Sequence, residues 1–183
     1  MLDDAGAAPK RQRTETPCKI CAKLAAFPPD DAAARRAAGV LWEDDLWLVV
    51  HKRQPCGVVG HLQLIAKRHV QGLSTFDDAE AARVGAALRR CERALEAAAA
   101  CDRVYTAALG SPASGAHFHA HMLPVRDDAP PRAVSGTPFD VFLQEKLAVD
   151  GVAGAEADDA QCARVAAAFA ERMGMDGFVG GDV

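Results

Sequence analysis

The 183-residue sequence has no apolar run that approaches the roughly 20 residues needed to cross a bilayer. Its first residues also lack the apolar core of a secretory signal peptide. Positive charge is scarce, because 21 lysines and arginines stand against 25 acidic residues and give a net charge of −4. These absences argue against a membrane protein and a general nucleic-acid-binding protein, although a local basic pocket is compatible with them. The length suits one domain with room for a small appendage, and no internal repeat is present.

Half of the residues are apolar, which is enough for a hydrophobic core. Six cysteines in a domain of this size do not need to form disulfides, so we expect a reducing, intracellular compartment such as the cytoplasm. Residues 1–16 are small and polar and lack a periodic apolar face, which predicts a disordered tail. The basic cluster at 10–13 is compatible with nuclear import but is more typical of a solvated tail.

Three histidines alternate with apolar residues in the stretch His-Phe-His-Ala-His-Met-Leu over 117–123. A β-strand points successive side chains to opposite faces, so His117, His119 and His121 would share one face while the apolar residues enter a core. Three neutral imidazoles side by side suit either a metal ion or a phosphate that is attacked and then released. One catalytic metal held by all three is disfavoured, because positions i and i+4 of a strand lie about 13 Å apart.

Cys18 and Cys21 form a CxxC motif. Two thiolates at this spacing can supply half of a tetrahedral metal centre, most often for zinc, act as a redox pair, or remain idle core cysteines. A metal centre would need two further ligands. His69, at the exit of a predicted strand, is of interest for that reason.

The remaining pattern predicts further strands over 41–43, 46–51, 61–66 and 103–109. Within 61–66 the alternation places His61 and Gln63 on one face and the leucines on the other. A long helix with Ser74 as its N-cap is predicted to run to about residue 100. Further helices are predicted over 137–149 and 159–173. A loop of small residues over 110–115 can bring backbone N–H groups close to an anion.

The histidine stretch resembles the signature of the histidine triad (HIT) family of nucleotide hydrolases and transferases at every position. Residues 60–69 resemble the family's glycine-histidine strand, with Ala66 where proline is usual, and Ser114 matches a serine found before the triad in many members. The resemblance covers about 18–124. It implies an α+β fold with a long helix packed on an antiparallel sheet of about five strands, and it implies a homodimer.

We therefore predict a disordered tail over 1–16, a HIT domain over 17–126 and a C-terminal extension with two helices over 127–183. By the resemblance, His119 is a nucleophile that attacks the α-phosphorus of an adenine-type nucleotide and forms a covalent nucleotidyl-histidine. His121 would contact phosphate oxygens or help to protonate the leaving group, with His61 in support. Ser114 and nearby N–H groups would bind developing charge.

The implied substrates are dinucleoside polyphosphates, nucleoside phosphoramidates and related adenylates. The alternative is a zinc-stabilised nucleotide-binding or interaction protein with little turnover. Where family members carry an acidic or amide residue for the ribose hydroxyls, this chain has His51, Lys52 and Arg53. We expect Lys52 and His51 to meet an additional phosphate or sulfate there.

The resemblance also implies a structural zinc. Several members bind zinc through a CxxC, the histidine that ends the glycine-histidine segment and the first triad histidine. The corresponding residues here are Cys18, Cys21, His69 and His117. A Cys₂His₂ set fills a tetrahedral shell and leaves no open position.

Overall fold

The structure, a computed structural model, describes residues 18–29, 31–52, 59–108, 116–125 and 159–175. Four helices and five strands follow one another along these segments, in the order α1 (Lys19–Ala25), α2 (Ala32–Ala37), β1 (Val40–Glu43), β2 (Trp47–His51), β3 (Leu62–Ala66), α3 (Asp78–Ala99), β4 (Arg103–Ala108), β5 (His119–Val125) and α4 (Asp159–Met175). The predicted α+β class is confirmed, and the helix predicted over 159–173 is formed by α4. The predicted tail over 1–16 and the helix predicted over 137–149 lie outside the described residues.

The strands form one antiparallel sheet in the order β1-β2-β3-β5-β4. The strand with the histidines therefore lies inside the sheet, between β3 and β4. In its register with β3, His121 is opposite Gln63 and His119 is opposite Ile65. This register places residues from two neighbouring strands side by side on the face that carries the histidines.

The opposite face of the sheet packs on α3 and α4 and forms the main core. Phe118, Ala120 and Met122 enter this core, as the alternation predicts. Helix α4 contributes Phe169 and Met173, which are 0% and 1% exposed. Complete burial of such side chains is worth about 1.5–3 kcal/mol each, so the C-terminal helix is part of the same core as the sheet.

A second, smaller core covers part of the face with the histidines. Its buried members are Phe27, Val40, Leu48, Val50 and Ile65, against which Ile20 and Leu24 of α1 pack. Helix α1 therefore lies over the β2 and β3 part of this face. This contact brings the CxxC motif, at the start of α1, towards the histidines.

Helix α3 begins with a capping box. Asp77 accepts a hydrogen bond from the backbone N–H of Glu80 at 2.8 Å, and the Glu80 carboxylate accepts one from the N–H of Asp77 at 3.0 Å. The prediction of Ser74 as the N-cap is therefore wrong, because Ser74 lies in a 3₁₀ turn over Leu73–Thr75. The reciprocal pair satisfies two of the N–H groups that a helix start leaves open.

Gly60 fixes how the chain enters β3. Its φ is +81°, and a Cβ atom built there would lie 3.0 Å from Cγ of Pro124 and 3.2 Å from Cγ1 of Val165. A side chain would be both strained and crowded at this position. Glycine therefore lets β3 begin in contact with the end of β5 and with α4, one residue before His61.

Within the described segments, no helix combines the length and the apolar character that a membrane crossing requires.

Candidate active site and metal centre

The chain enters β5 through a bend at Ala116, whose φ is +43°. The N–H of Phe118 then donates to the carbonyl of Val70 at 2.6 Å, and the pairing of β5 with β3 begins at His119. His119 and His121 thus belong to the strand, whereas His117 lies just before it. The three histidines are close in space, but they do not all lie within one strand as the alternation predicts.

His119 is held by its own main chain. Its Nδ1 lies 2.8 Å from the carbonyl oxygen of His117. A carbonyl oxygen can only accept, so Nδ1 carries the hydrogen and the lone pair of the neutral ring is on Nε2. The residue is only 7% exposed. This arrangement presents a nucleophilic nitrogen in a fixed direction.

His121 and His61 form a second, buried pair of imidazoles. Nε2 of His61 lies 2.9 Å from Nδ1 of His121, and the ring centroids of His119 and His121 are 4.9 Å apart. Burial, followed by the nearby charges of Lys52 and His51, lowers the pKa of His61 to about 3. His61 is therefore neutral at physiological pH, and its contact with His121 is a hydrogen bond in which His61 carries no charge.

Cys18, Cys21, His69 and His117 form a compact cluster at the other end of this row. Their ligand atoms all lie within 4.8 Å of one another. Nδ1 of His117 is 3.5 Å from Sγ of Cys18 and 3.4 Å from Sγ of Cys21, and Nδ1 of His69 is 3.2 Å from Sγ of Cys21. A tetrahedron with metal–sulfur bonds near 2.3 Å and metal–nitrogen bonds near 2.0 Å has sulfur–nitrogen edges of about 3.5 Å. The cluster therefore fits structural zinc.

The surroundings of the cluster also suit a cation. Nε2 of His117 lies 2.7 Å from the carbonyl of Ala66 and must donate to it, which leaves the lone pair on Nδ1 turned towards the thiols. Burial and the neighbouring Cys18 raise the pKa of the Cys21 thiol. A cation among these sulfurs is what favours the thiolate form.

Three consecutive residues after β3 are fastened to three different elements. Lys67 pairs with Glu43 of β1 at 2.7 Å, Arg68 pairs with Glu80 of α3 at 2.6 Å, and His69 contacts Cys21. Glu80 is only 3% exposed. These ion pairs, which the sequence analysis does not anticipate, hold the segment that carries His69. Lys-Arg followed by histidine is the only signal, and it does not identify the acidic partners.

Lys52 and His51, both predicted to bind phosphate, lie on opposite faces of the sheet. The N–H of Lys52 donates to the carbonyl of His61 at 2.9 Å, which places Lys52 on the histidine side of the sheet. His51 is instead opposite Leu62, a residue of the main core, so strand alternation places it on the helix side. The structure thus brings Lys52, but not His51, to the face with the triad. Ser114 lies outside the described residues.

Comparison with known proteins identifies the family. Residues 34–128, which are 95 of the 183 residues, match the HIT domain. The chain belongs to the HIT domain family. Members of this family generally bind nucleotides and act as hydrolases or transferases, although some are not catalytic. No curated protein sequence matches this HIT protein significantly.

Several solved structures share the fold. A zinc-bound histidine triad family protein from Mycobacterium smegmatis is 19% identical with a TM-score of 0.54, and the match covers 87% of this chain and 97% of that one. A hypothetical histidine triad nucleotide-binding protein from Sulfolobus tokodaii is 14% identical with a TM-score of 0.53, covering 74% and 83%. A HIT-like protein involved in cell-cycle regulation from Bartonella henselae is 16% identical with a TM-score of 0.51, covering 80% and 98%. At these identities the likeness establishes the fold.

Proposed function

We propose that this HIT protein is a nucleotidyl hydrolase or transferase that acts on the α-phosphate of an adenine-type nucleotide through a covalent bond to His119. The observation that carries the proposal is the hydrogen bond from Nδ1 of His119 to the carbonyl of His117, which leaves the Nε2 lone pair available for attack. The substrates would be dinucleoside polyphosphates, nucleoside phosphoramidates or related adenylates.

In the first step, Nε2 of His119 attacks the α-phosphorus. A P–N bond forms, the bond from phosphorus to the leaving group breaks, and its electron pair leaves with that group. A leaving amine takes a proton from His121, which lies beside the attacking ring, starts the step as the imidazolium and ends it neutral. Neutral His61 accepts the hydrogen bond of His121 throughout. Positive charge develops on His119 during the attack. Its hydrogen bond to the His117 carbonyl strengthens as a result, because charged donors bond more strongly than neutral ones.

In the second step, water attacks the same phosphorus and the P–N bond breaks. Neutral His121 takes the water proton, and the electron pair of the P–N bond returns to Nε2 of His119. The nucleoside monophosphate is then released and His119 is neutral again. Another acceptor in place of water would make the protein a transferase. Lys52, which the structure places beside His61, would hold a further phosphate or sulfate of the substrate through its positive charge. Ser114 as an anion ligand stays a prediction.

We further propose that Cys18, Cys21, His69 and His117 hold zinc. The support is the donor set, the sulfur–nitrogen distances and the hydrogen bond that fixes His117 with Nδ1 towards the thiols. All four positions are protein ligands, so the metal would be structural and would supply a cross-link between α1 and the segment that enters β5.

The test of the reaction is intact-mass spectrometry of rapidly quenched protein. Wild type and the His119→Ala variant are mixed with diadenosine polyphosphates, adenosine phosphoramidate or adenylyl sulfate. We expect one added nucleotide on wild type only. The donor that modifies the largest fraction of the protein identifies the substrate class. The absence of both adduct and product with every donor would contradict the proposal and would favour the nucleotide-binding alternative. An adduct on both proteins would remove His119 as the nucleophile.

The homodimer and the intracellular setting also remain proposals. Light scattering of the purified protein at several concentrations would check the dimer, and the mass of a single chain throughout would contradict it. Imaging of a tagged full-length chain would check the compartment and would separate a cytoplasmic from a nuclear distribution.

A further inference from the structure

Gln63 is the one residue of β3 that is not buried. It lies on the histidine face, between His121 of β5 and Val50 of β2 in the register of the sheet. Both of these neighbours are 2% exposed. A polar side chain therefore emerges from the interior of the sheet at the point where the proposed chemistry takes place, and not at a sheet edge.

The amide of Gln63 is not used by the described fold. Across residues 18–29, 31–52, 59–108, 116–125 and 159–175, its side chain makes no hydrogen bond. The other four residues of β3 are apolar and buried. A half-buried amide without a partner is unfavourable unless water or a ligand satisfies it. Its two N–H groups and its carbonyl oxygen are therefore available above the histidine face.

The register fixes the distance from Gln63 to the proposed reaction centre. Cβ atoms of residues directly opposite each other in neighbouring strands are about 4.5–5.5 Å apart, and diagonal neighbours are about 7–8 Å apart. His121 is directly opposite Gln63, and His119 is the diagonal neighbour because it pairs with Ile65. The Gln63 amide is therefore next to His121 and diagonal to His119. It lies beside the group that a phosphorus bonded to His119 would carry.

We propose that Gln63 is a specificity-determining residue that hydrogen-bonds the vicinal hydroxyls of the nucleotide's ribose. This inference rests on the proposed nucleotidyl function of the site. An amide donates and accepts at once, so it can accept from one hydroxyl and donate to its neighbour. A second phosphate only accepts, and the positive charge of Lys52 suits it better. The base is separated from the phosphate by the sugar and lies farther away.

The test compares adenosine 5′-phosphoramidate with its 2′,3′-dideoxy analogue in wild type, Gln63→Leu and Gln63→Glu. Sites built to bond a substrate hydroxyl discriminate strongly against analogues that lack it. We expect Gln63→Leu to lower kcat/KM for the ribonucleotide by about 10–100-fold, chiefly through a higher KM. For the dideoxy donor, kcat/KM of the variant should stay within about twofold of wild type. Gln63→Glu keeps an acceptor and should lose less than Gln63→Leu.

Gln161→Leu, an exposed glutamine on α4, is the matched control and should change neither donor. Equal losses for the two donors in Gln63→Leu, or no loss, would overturn the inference while leaving the reaction intact. If no turnover is seen, calorimetric measurement of AMP and dideoxy-AMP binding tests the role of Gln63 separately from the proposed reaction. A Gln63→Leu protein that loses affinity for AMP alone would support the role of Gln63 without the reaction. Unchanged affinity for both would overturn it.

Discussion

The carbonyl oxygen of His117 accepts a 2.8 Å hydrogen bond from Nδ1 of His119, while the imidazole of His117 lies among the cysteines. One residue therefore belongs to both sites, with its side chain in the metal centre and its main chain on the proposed nucleophile. A displacement of the His117 ring would shift the carbonyl that orients His119. The proposed structural zinc and the proposed chemistry are coupled through this residue.

Cys18→Ser should remove the zinc and lower stability. Loss of one of four ligands is expected to cost about 3 kcal/mol, because metal-binding energy in such sites is also folding energy. This corresponds to a decrease in Tm of roughly 6–12 °C for a chain of this size. Elemental analysis should give about one zinc per wild-type chain and much less in the variant. Cys101→Ser, at a thiol outside the cluster, should keep both zinc and Tm. Equal melting temperatures for Cys18→Ser and wild type would contradict the structural metal.

His119→Ala should abolish turnover while preserving the fold. We expect kcat to decrease by about 10⁴-fold or more, since removal of a covalent nucleophile leaves only the contribution of binding. Calorimetry should find the affinity for AMP within a few fold of wild type, because the variant keeps His121 and Lys52, the proposed phosphate ligands. Residual turnover near the wild-type rate would mean that another group carries the reaction.

The neutral state of His61 predicts an acid-sensitive fold. The folded-state pKa of about 3 is below the ordinary histidine value of about 6.5, so the unfolded chain binds an extra proton between these pH values. The contribution of His61 is therefore present above pH 6.5 and is lost as pH falls towards 3, by up to about 1.4 kcal/mol per pH unit.

His61→Asn removes this titration. Its free energy of unfolding, measured in urea between pH 7 and pH 5, should decrease less steeply than that of wild type. Both proteins keep the metal ligands, so proton-driven loss of metal is common to them and cancels in the comparison. Parallel curves would show that His61 is not the source of the acid sensitivity.

Glu80 should be the most sensitive acidic residue of α3. It is buried, accepts from Arg68 and closes the capping box with Asp77. Glu80→Gln keeps an acceptor for the cap and should cost about 1 kcal/mol, whereas Glu80→Ala removes both interactions and should cost about 2–3 kcal/mol. Chemical denaturation measures both values. Glu96→Gln, on the exposed side of the same helix, should be near neutral, and a similar loss there would mean that Glu80 has no special role.

The alternation of histidines and apolar residues predicted the direction of the β5 side chains, because the period of a strand is two. It did not predict that His117 precedes the strand. That outcome depends on the bend at Ala116 and on the hydrogen bond between Phe118 and Val70, a contact between residues far apart in the sequence.

The N-cap of α3 could have been read from a local pattern, because Asp77 is followed three residues later by Glu80, which is the capping-box spacing. Ser74 is also an acceptable N-cap by residue type, and the reciprocal bonds with Glu80 decide for Asp77 in the fold. The predicted pair of Lys52 and His51 was separated because adjacent residues of a strand face opposite sides. Which of the two faces the histidines depends on the pairing of β2 with β3.

Because Phe169 and Met173 are buried against the sheet, the smallest unit of this protein that folds with a complete core includes α4. The stretch that matches the family ends at residue 128, before α4 begins. A polypeptide truncated at that point would leave uncovered the apolar surface that α4 fills, and would present it to chaperones or to other copies of itself. Gly60 adds a second dependence, because Val165 packs against the turn that leads into His61. Excision of the C-terminal helix would therefore impair recovery of folded protein and would remove the packing that supports the histidine-bearing strands from the opposite face of the sheet.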